Sequence, residues 1–327
     1  MKSFDEAVTI RLKNKYNTWS IGAKESYTDK DKRSAQLRFD NDFFKVSNSP
    51  KFRISKNDRV YTIGSCFARN IEQALISKGI EVPTTNIQID ESLYVSKPRF
   101  SNTVLNKYNP HSMAAEILRG LGELTYEDDG LIEVSENKFY DPQSSHLPVL
   151  DRESAINVRK ALDKTSKEIL TSNVFMFTLG LTETWFDKKT SIAFNQINPA
   201  QLKPIRERLM FKNVNVQEAY NELEKAFVML EKHVPNAKVV ITVSPVPLLN
   251  TFTNMDILTA NTYSKATLRV IAQMLSDNFS FVDYFPSYEM VTNSNKNYSW
   301  ALDKAHVTDD VVNNVIETFT ERYVREC

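Results

Sequence analysis

Four short apolar runs, separated by stretches with helical spacing, restrict the fold of this chain more than any other feature. They are RVYTI at 59–63, NVFMFTLG at 173–180, KVVITVSP at 238–245 and FSFVDYFP at 279–286. Near-continuous apolar runs of this length suit strands covered on both faces, as in parallel sheets. Between and after them, apolar residues recur at three and four positions. Phe67, Ile71, Ala74 and Leu75 do so before Gly79, and Tyr220, Leu223, Phe227 and Leu230 before Pro235. A further helix is expected over about 256–277, and Val312, Val315, Ile316, Phe319 and Tyr323 form a last stripe. Parallel neighbours need a crossover, and a helix supplies it. The predicted fold is therefore α/β, three layers in the order α/β/α with a mainly parallel central sheet.

Residues 1–50 are polar, carry the cluster TDKDKR, and are expected to form an N-terminal extension that packs on the body or moves in part. Residues 51–327 read as one domain. Two intervals lack a period, about 120–150 with EDDG and DPQSSH, and 187–216 with Pro199 and Pro204. Both are expected to be insertions over the rim of the crevice, which in such sheets lies beyond the carboxyl ends of the strands.

Composition removes several function classes. Lys plus Arg equals Asp plus Glu at 41 each, so no basic field draws the chain to nucleic acid or an anionic membrane. MKSFDEAVTI has acids where a secretory signal needs a basic flank and an apolar run, and the expected location is cytoplasmic. Cys66 and Cys327 offer neither a disulfide framework nor a thiolate zinc site. His111, His146, His233 and His306 show no ligand spacing such as HExxH, so no metal is expected.

Two stretches carry chemistry. In VYTIGSCFARNIEQAL, Gly64, Ser65 and Cys66 stand where a strand ends and a helix begins. Taken alone, they equally suit a turn glycine, a helix-capping serine and a small buried cysteine. In LDKAHVTDD, Asp303 and His306 are three apart, a spacing that lets the carboxylate hold the imidazole Nδ1–H and leave Nε2 as a base. A capping Asp and a surface His would look the same. Other uses of a cysteine after a strand fail on spacing. A tyrosine-phosphatase loop needs arginine where Glu72 stands, no second cysteine completes CxxC, and no lysine follows a Gly-rich phosphate loop.

Gly64-Ser65-Cys66-Phe67-Ala68, followed in order by NPHSMAAEI, SSHLPV, FTLGLTETW, TVSPVP, NTYSKATL, YFPSYEMV and DKAHVTDD, resembles the GSCFA family. That family is similar to the SGNH/GDSL hydrolases, with a flavodoxin-like sheet. The resemblance implies acyl transfer through a covalent acyl-enzyme. Matching glycine to glycine puts Cys66 at the nucleophile position and Ser65 at the residue before it, with Ser65 the alternative nucleophile. His306 would be the general base and Asp303 its orienter. Gly180-Leu181-Thr182-Glu183 matches the SGNH oxyanion element Gly-x-Asn-Asp, with Thr182 in place of asparagine. A second oxyanion glycine has no counterpart between Pro83 and Asn109, and His146 is a candidate for binding substrate or an oxyanion. The resemblance implies an esterase or O-acyltransferase acting on a carbohydrate, with no cofactor required; the expected cytoplasmic location with a thiol nucleophile adds acyl-coenzyme A as one donor. The departures at Thr182 and at the missing glycine motivate a second reading, a binding or assembly protein on the same scaffold.

Overall fold

The computed structural model describes residues 1–325, with only the backbone at Cys66. In chain order the elements are α1 (Phe4–Lys13), α2 (Ala35–Arg38), β1 (Val60–Gly64), α3 (Cys66–Ser77), α4 (Pro110–Gly120), β2 (Ile132–Ser135), β3 (Lys138–Tyr140), α5 (Arg152–Ser166) and β4 (Val174–Leu179). They continue with β5 (Glu183–Asp187), β6 (Ala193–Phe194), β7 (Leu209–Asn213), α6 (Val216–His233), β8 (Lys238–Val243), α7 (Ile257–Asn278), β9 (Val282–Tyr284), α8 (Ser287–Asn293), α9 (Lys296–Ser299) and α10 (Asp309–Tyr323).

The central sheet has the order β1-β4-β8-β9, and every pair in it is parallel. Alternate residues of each strand serve opposite layers, because successive side chains leave a strand on opposite faces. Tyr61, Ile63, Phe175, Phe177, Val239 and Ile241 pack against α4, α6 and α7 through Met113, Ile117, Leu223, Phe227, Leu268 and Ile271. Val60, Met176 and Val240 meet α3, α8 and α10 through Phe67, Ile71, Leu75, Met290, Val315 and Phe319. This is the expected three-layer arrangement.

Arg59 forms a parallel bridge with Glu81, so a short extended piece lies on the other side of β1. The sheet therefore continues one way from β1 to β4 and the other way to residue 81. In open α/β sheets a crevice forms at such a reversal, beyond the strands' carboxyl ends.

The interval 120–150 contains the β2–β3 hairpin, and 187–216 contains β6 and β7, which flank β5 in a small antiparallel sheet. Helix α1 buries none of its residues, although Ser3 and Glu6 close a capping box at its start. The following segment is attached: the Phe44 N–H donates to Ser294 Oγ at 2.8 Å, and Lys45 pairs with Glu321 at 2.7 Å. Among the described residues no helix is long and apolar enough to cross a membrane.

Candidate active site

β1 ends in Gly64, where the neighbouring strand leaves no room for a side chain. A Cβ at Gly64 would stand 2.6 Å from the Cβ of Thr178, its partner in register. Ser65 follows as the N-cap of α3 in an extended conformation. A capping serine normally accepts a hydrogen bond from the helix's first turn. Ser65 Oγ accepts none; it is buried and has no partner among the described residues. Thr178 Oγ1 and Asn106 Oδ1 are likewise buried and unpartnered. Buried oxygens without partners are uncommon in folded chains, and these three belong to segments that adjoin the end of β1. Cys66 is the first residue of α3, and its side chain, like all of Cys327, lies outside the described residues.

A strap formed by residues 106–109 crosses between the ends of β1 and β4. The Lys107 N–H donates to Gly64 O at 2.9 Å, and the Leu181 N–H donates to Tyr108 O at 2.8 Å. Gly180 is required by this crossing, since a Cβ there would stand 2.6 Å from Tyr108 O. Helix α7 braces the same turn from within. Lys265 Nζ donates to Gly180 O at 2.7 Å, and Ser264 Oγ accepts from the Thr182 N–H at 3.1 Å. Burial lowers the pKa of Lys265 to about 7.

Thr182 and Glu183 are both engaged within the fold. Thr182 Oγ1 donates to Asn213 Oδ1 at 2.7 Å, so neither of its donors is free. Glu183 accepts from the Thr251 hydroxyl and, at 2.9 Å, from the Phe252 N–H, which fastens the loop after β8.

The Asp303–His306 pair is formed. His306 Nδ1 lies 2.5 Å from Asp303 Oδ2, while Asp303 Oδ1 accepts from the N–H groups of Ala305 and His306 at 3.0 Å each. The hydrogen bond from His306, followed by those two from the backbone, holds the Asp303 carboxyl well below the usual carboxylate range. His306 is exposed, and its Nε2 has no partner among the described residues. Its loop leads directly into α10, and the far end of α10 is fixed at the strands' amino edge. There the Ile54 N–H donates to Tyr323 O at 2.6 Å, just ahead of β1. The amino end of α10, and His306 with it, therefore lies at the carboxyl edge, the same rim as Gly64 and Ser65.

His146 has a left-handed backbone (φ +62°), and its Nε2 lies 2.9 Å from the Tyr108 hydroxyl. Partial desolvation lowers its pKa. Ser145 Oγ donates to Gln196 Oε1 at 3.0 Å and lies 3.3 Å from that hydroxyl. Through Tyr108, His146 is connected to the strap and so to Gly180. His111 occupies the first turn of α4 and packs edge-on against Phe186 at 5.0 Å. With Lys212 and Glu218 it lines an open groove of about 520 Å³ that shares no lining residue with the rim. His233 ends α6, 2.6 Å from Glu123.

Sequence reasoning did not find the strap, Lys265 or the buried Arg69–Glu72 pair in α3. The strap fills the region where a second oxyanion glycine was sought. Its N–H groups at Lys107 and Tyr108 are already given to Gly64 O and to Asn195 Oδ1, the latter at 2.9 Å. The unbroken NPHSMAAEI and NTYSKATL stretches were the available signals, since the first begins at the strap's last residue and the second contains Lys265. Among the described residues no cluster of three or more His, Cys, Asp or Glu could hold a metal ion.

The fold is an open α/β/α sandwich on a parallel central sheet. The GSCFA family profile matches residues 59–319, and the chain belongs to the GSCFA family. No curated protein matches it. Among solved structures, it is similar to a Clostridium thermocellum family 3 carbohydrate esterase at 10% identity, over 82% of this chain and 94% of that one, with a TM-score of 0.36.

Proposed function

We propose that this protein is an acyl-transfer enzyme in which Cys66 is the nucleophile and His306, oriented by Asp303, the general base. The observation that carries this reading is the formed Asp303–His306 pair in the loop that leads into α10. In the proposed reaction, His306 Nε2 takes the thiol proton and the sulfur attacks the acyl carbonyl carbon. The carbonyl oxygen becomes an oxyanion beside the start of α3, where the Ala68 N–H is given to Ser65 O at 2.9 Å and the helix's earlier N–H groups have no carbonyl of their own helix to bond. Collapse breaks the bond to the leaving group, which receives the proton from His306. A hydroxyl or water, deprotonated by His306, then attacks the thioester and returns the thiol. Asp303 keeps the imidazole in the tautomer that leaves Nε2 able to accept.

The acceptor proposed is a carbohydrate hydroxyl. Support comes from the similarity of the GSCFA family to SGNH/GDSL hydrolases, a fold-level analogy. It also comes from the rim itself, where Tyr108, His146, Ser145 and Gln196 offer an aromatic ring beside hydroxyl, imidazole and amide groups. An acyl-coenzyme A thioester is the proposed donor for transfer, and an O-acyl ester the substrate for hydrolysis. The site needs no metal or cofactor for either, and a cytoplasmic location suits a free thiol.

A second reading, a binding protein without turnover, is favoured by one observation: both donors of Thr182 are committed to Asn213 and Ser264. Turnover of p-nitrophenyl acetate and acetyl-coenzyme A separates the two. Catalysis should be lost in Cys66→Ala and largely kept in Ser65→Ala. The reverse pattern would make Ser65 the nucleophile, and no turnover of either donor by the wild type would favour the binding reading.

A further inference from the structure

Arg69 and Glu72 are both fully buried in α3 and form an ion pair at 2.7 Å through Arg69 Nη1. Burying two charges is costly and rarely stabilises a fold by itself. The two partners are satisfied unequally. Glu72 accepts from the hydroxyls of Thr62 and Thr84, from Arg69 and, at 2.8 Å, from Asn102 Nδ2. Among the described residues Arg69 has Glu72 alone as a side-chain partner, and its Nε and Nη2 are buried with none. The positive charge is thus less compensated than the negative one.

Their order along the helix gives this imbalance a direction. Cys66, Arg69 and Glu72 follow one another at intervals of three residues. Residues three apart on a helix have Cβ atoms about 5–6 Å from each other. Arg69 therefore stands one turn from Cys66 in the helix, and Glu72 a further ~4.5 Å along the axis. The positive end of the helix dipole is also at Cys66. On the other face of the sheet, burial and then Glu116 raise the pKa of the Tyr61 phenol. Glu116 is itself countered by Lys107 at 3.3 Å and by the Tyr61 hydroxyl at 2.7 Å. On the rim side, the His306 imidazole is paired with Asp303.

We propose that Arg69 is a positioning residue for the nucleophile: its under-compensated buried charge favours the thiolate of Cys66, and Glu72 limits that effect. The inference rests on the acyl-transfer reading only in taking Cys66 as the nucleophile. It predicts a titration that can be read without substrate.

The test is the pH dependence of Cys66 alkylation by iodoacetamide in the full chain, followed by peptide mass spectrometry at residue 66. In the wild type the midpoint should lie about one unit or more below the ordinary thiol value near 8.5. Arg69→Gln should raise it by about one unit, a tenfold loss of alkylation rate at pH 7. Arg69→Lys should restore most of the wild-type midpoint, whereas Glu72→Gln should lower it. The double Arg69→Gln/Glu72→Gln variant, which buries no charge, should fall between the two single changes and serves if Arg69→Gln does not fold. Opposite shifts in Arg69→Gln and Glu72→Gln are the signature, because general structural damage would move both the same way. An ordinary wild-type midpoint, or shifts of the same sign, would overturn the proposal. Acylation by p-nitrophenyl acetate is scored separately. An Arg69-dependent midpoint without acylation would defeat the acyl-transfer reading and leave this inference standing, and acylation with an Arg69-independent midpoint would do the opposite.

Discussion

Asp303 Oδ2 lies 2.5 Å from His306 Nδ1, and the other oxygen of the same carboxylate is held by two backbone N–H groups of the loop. The imidazole is thereby fixed at one nitrogen, and its other nitrogen has no partner among the described residues. Asp303→Asn is expected to preserve the fold and lower acyl transfer, because an amide does not stabilise the imidazolium that forms when His306 takes a proton. His306→Ala should lower it more. General acid–base catalysis is worth roughly 10²–10⁴ in rate, so losses in that range are expected in kcat for p-nitrophenyl acetate. Rates unchanged in both variants would remove His306 from the mechanism.

Gly64 and Gly180 hold the turn geometry by being small. Alanine at either would place a Cβ 2.6 Å from Thr178 or from the carbonyl of Tyr108. Overpacking of this kind costs about 1–3 kcal/mol. Gly180→Ala should also displace the strap, so it should lower turnover beyond its effect on stability. Denaturant titration with kinetics on the folded fraction checks both.

Thr182→Val separates a structural from a catalytic Thr182. Its hydroxyl is given to Asn213, which the variant would leave short of a donor at a cost of about 1–3 kcal/mol. Activity per folded molecule should change little. A hundredfold fall in kcat with unchanged stability would instead assign the hydroxyl to the oxyanion.

Lys265 makes stability depend on pH. Its folded pKa of about 7 lies below the ordinary 10.5 of the unfolded chain, so between these values unfolding takes up a proton. The unfolding free energy of the wild type should therefore rise with pH across this window, relative to Lys265→Met, by up to roughly 1.4 kcal/mol per pH unit. Below pH 7 the folded lysine also carries its proton and the slope should vanish. Urea titrations of both proteins at pH 6, 7, 8 and 9 measure the difference, and a constant difference would show that Lys265 is not neutralised on burial.

The sheet was legible because its strands are near-continuous apolar runs, each followed by a glycine, proline or helical stripe. Gly64, Ser65, Cys66, Asp303 and His306 were legible because strand–turn–helix and DxxH are local patterns. The strap at 106–109, Arg69 with Glu72, and Lys265 were not. Each is a polar or charged residue, or a segment of them, buried by partners distant in sequence, and single-residue chemistry gives the same signal for a buried lysine as for a solvated one. Helix α5 and strand β5 were missed for a related reason. α5 carries charged residues through its whole length, and β5 begins with Glu183, whose burial depends on Thr251 and Phe252.

The central claim, a Cys66 nucleophile served by His306, is tested most directly by locating the acetyl group left after brief exposure to p-nitrophenyl acetate and acid quench. Peptide mapping should find a hydroxylamine-labile acetyl on Cys66 in the wild type, forming at least a hundredfold more slowly in His306→Ala. Acetyl on Ser65, or a Cys66 adduct that forms equally fast without His306, would contradict it.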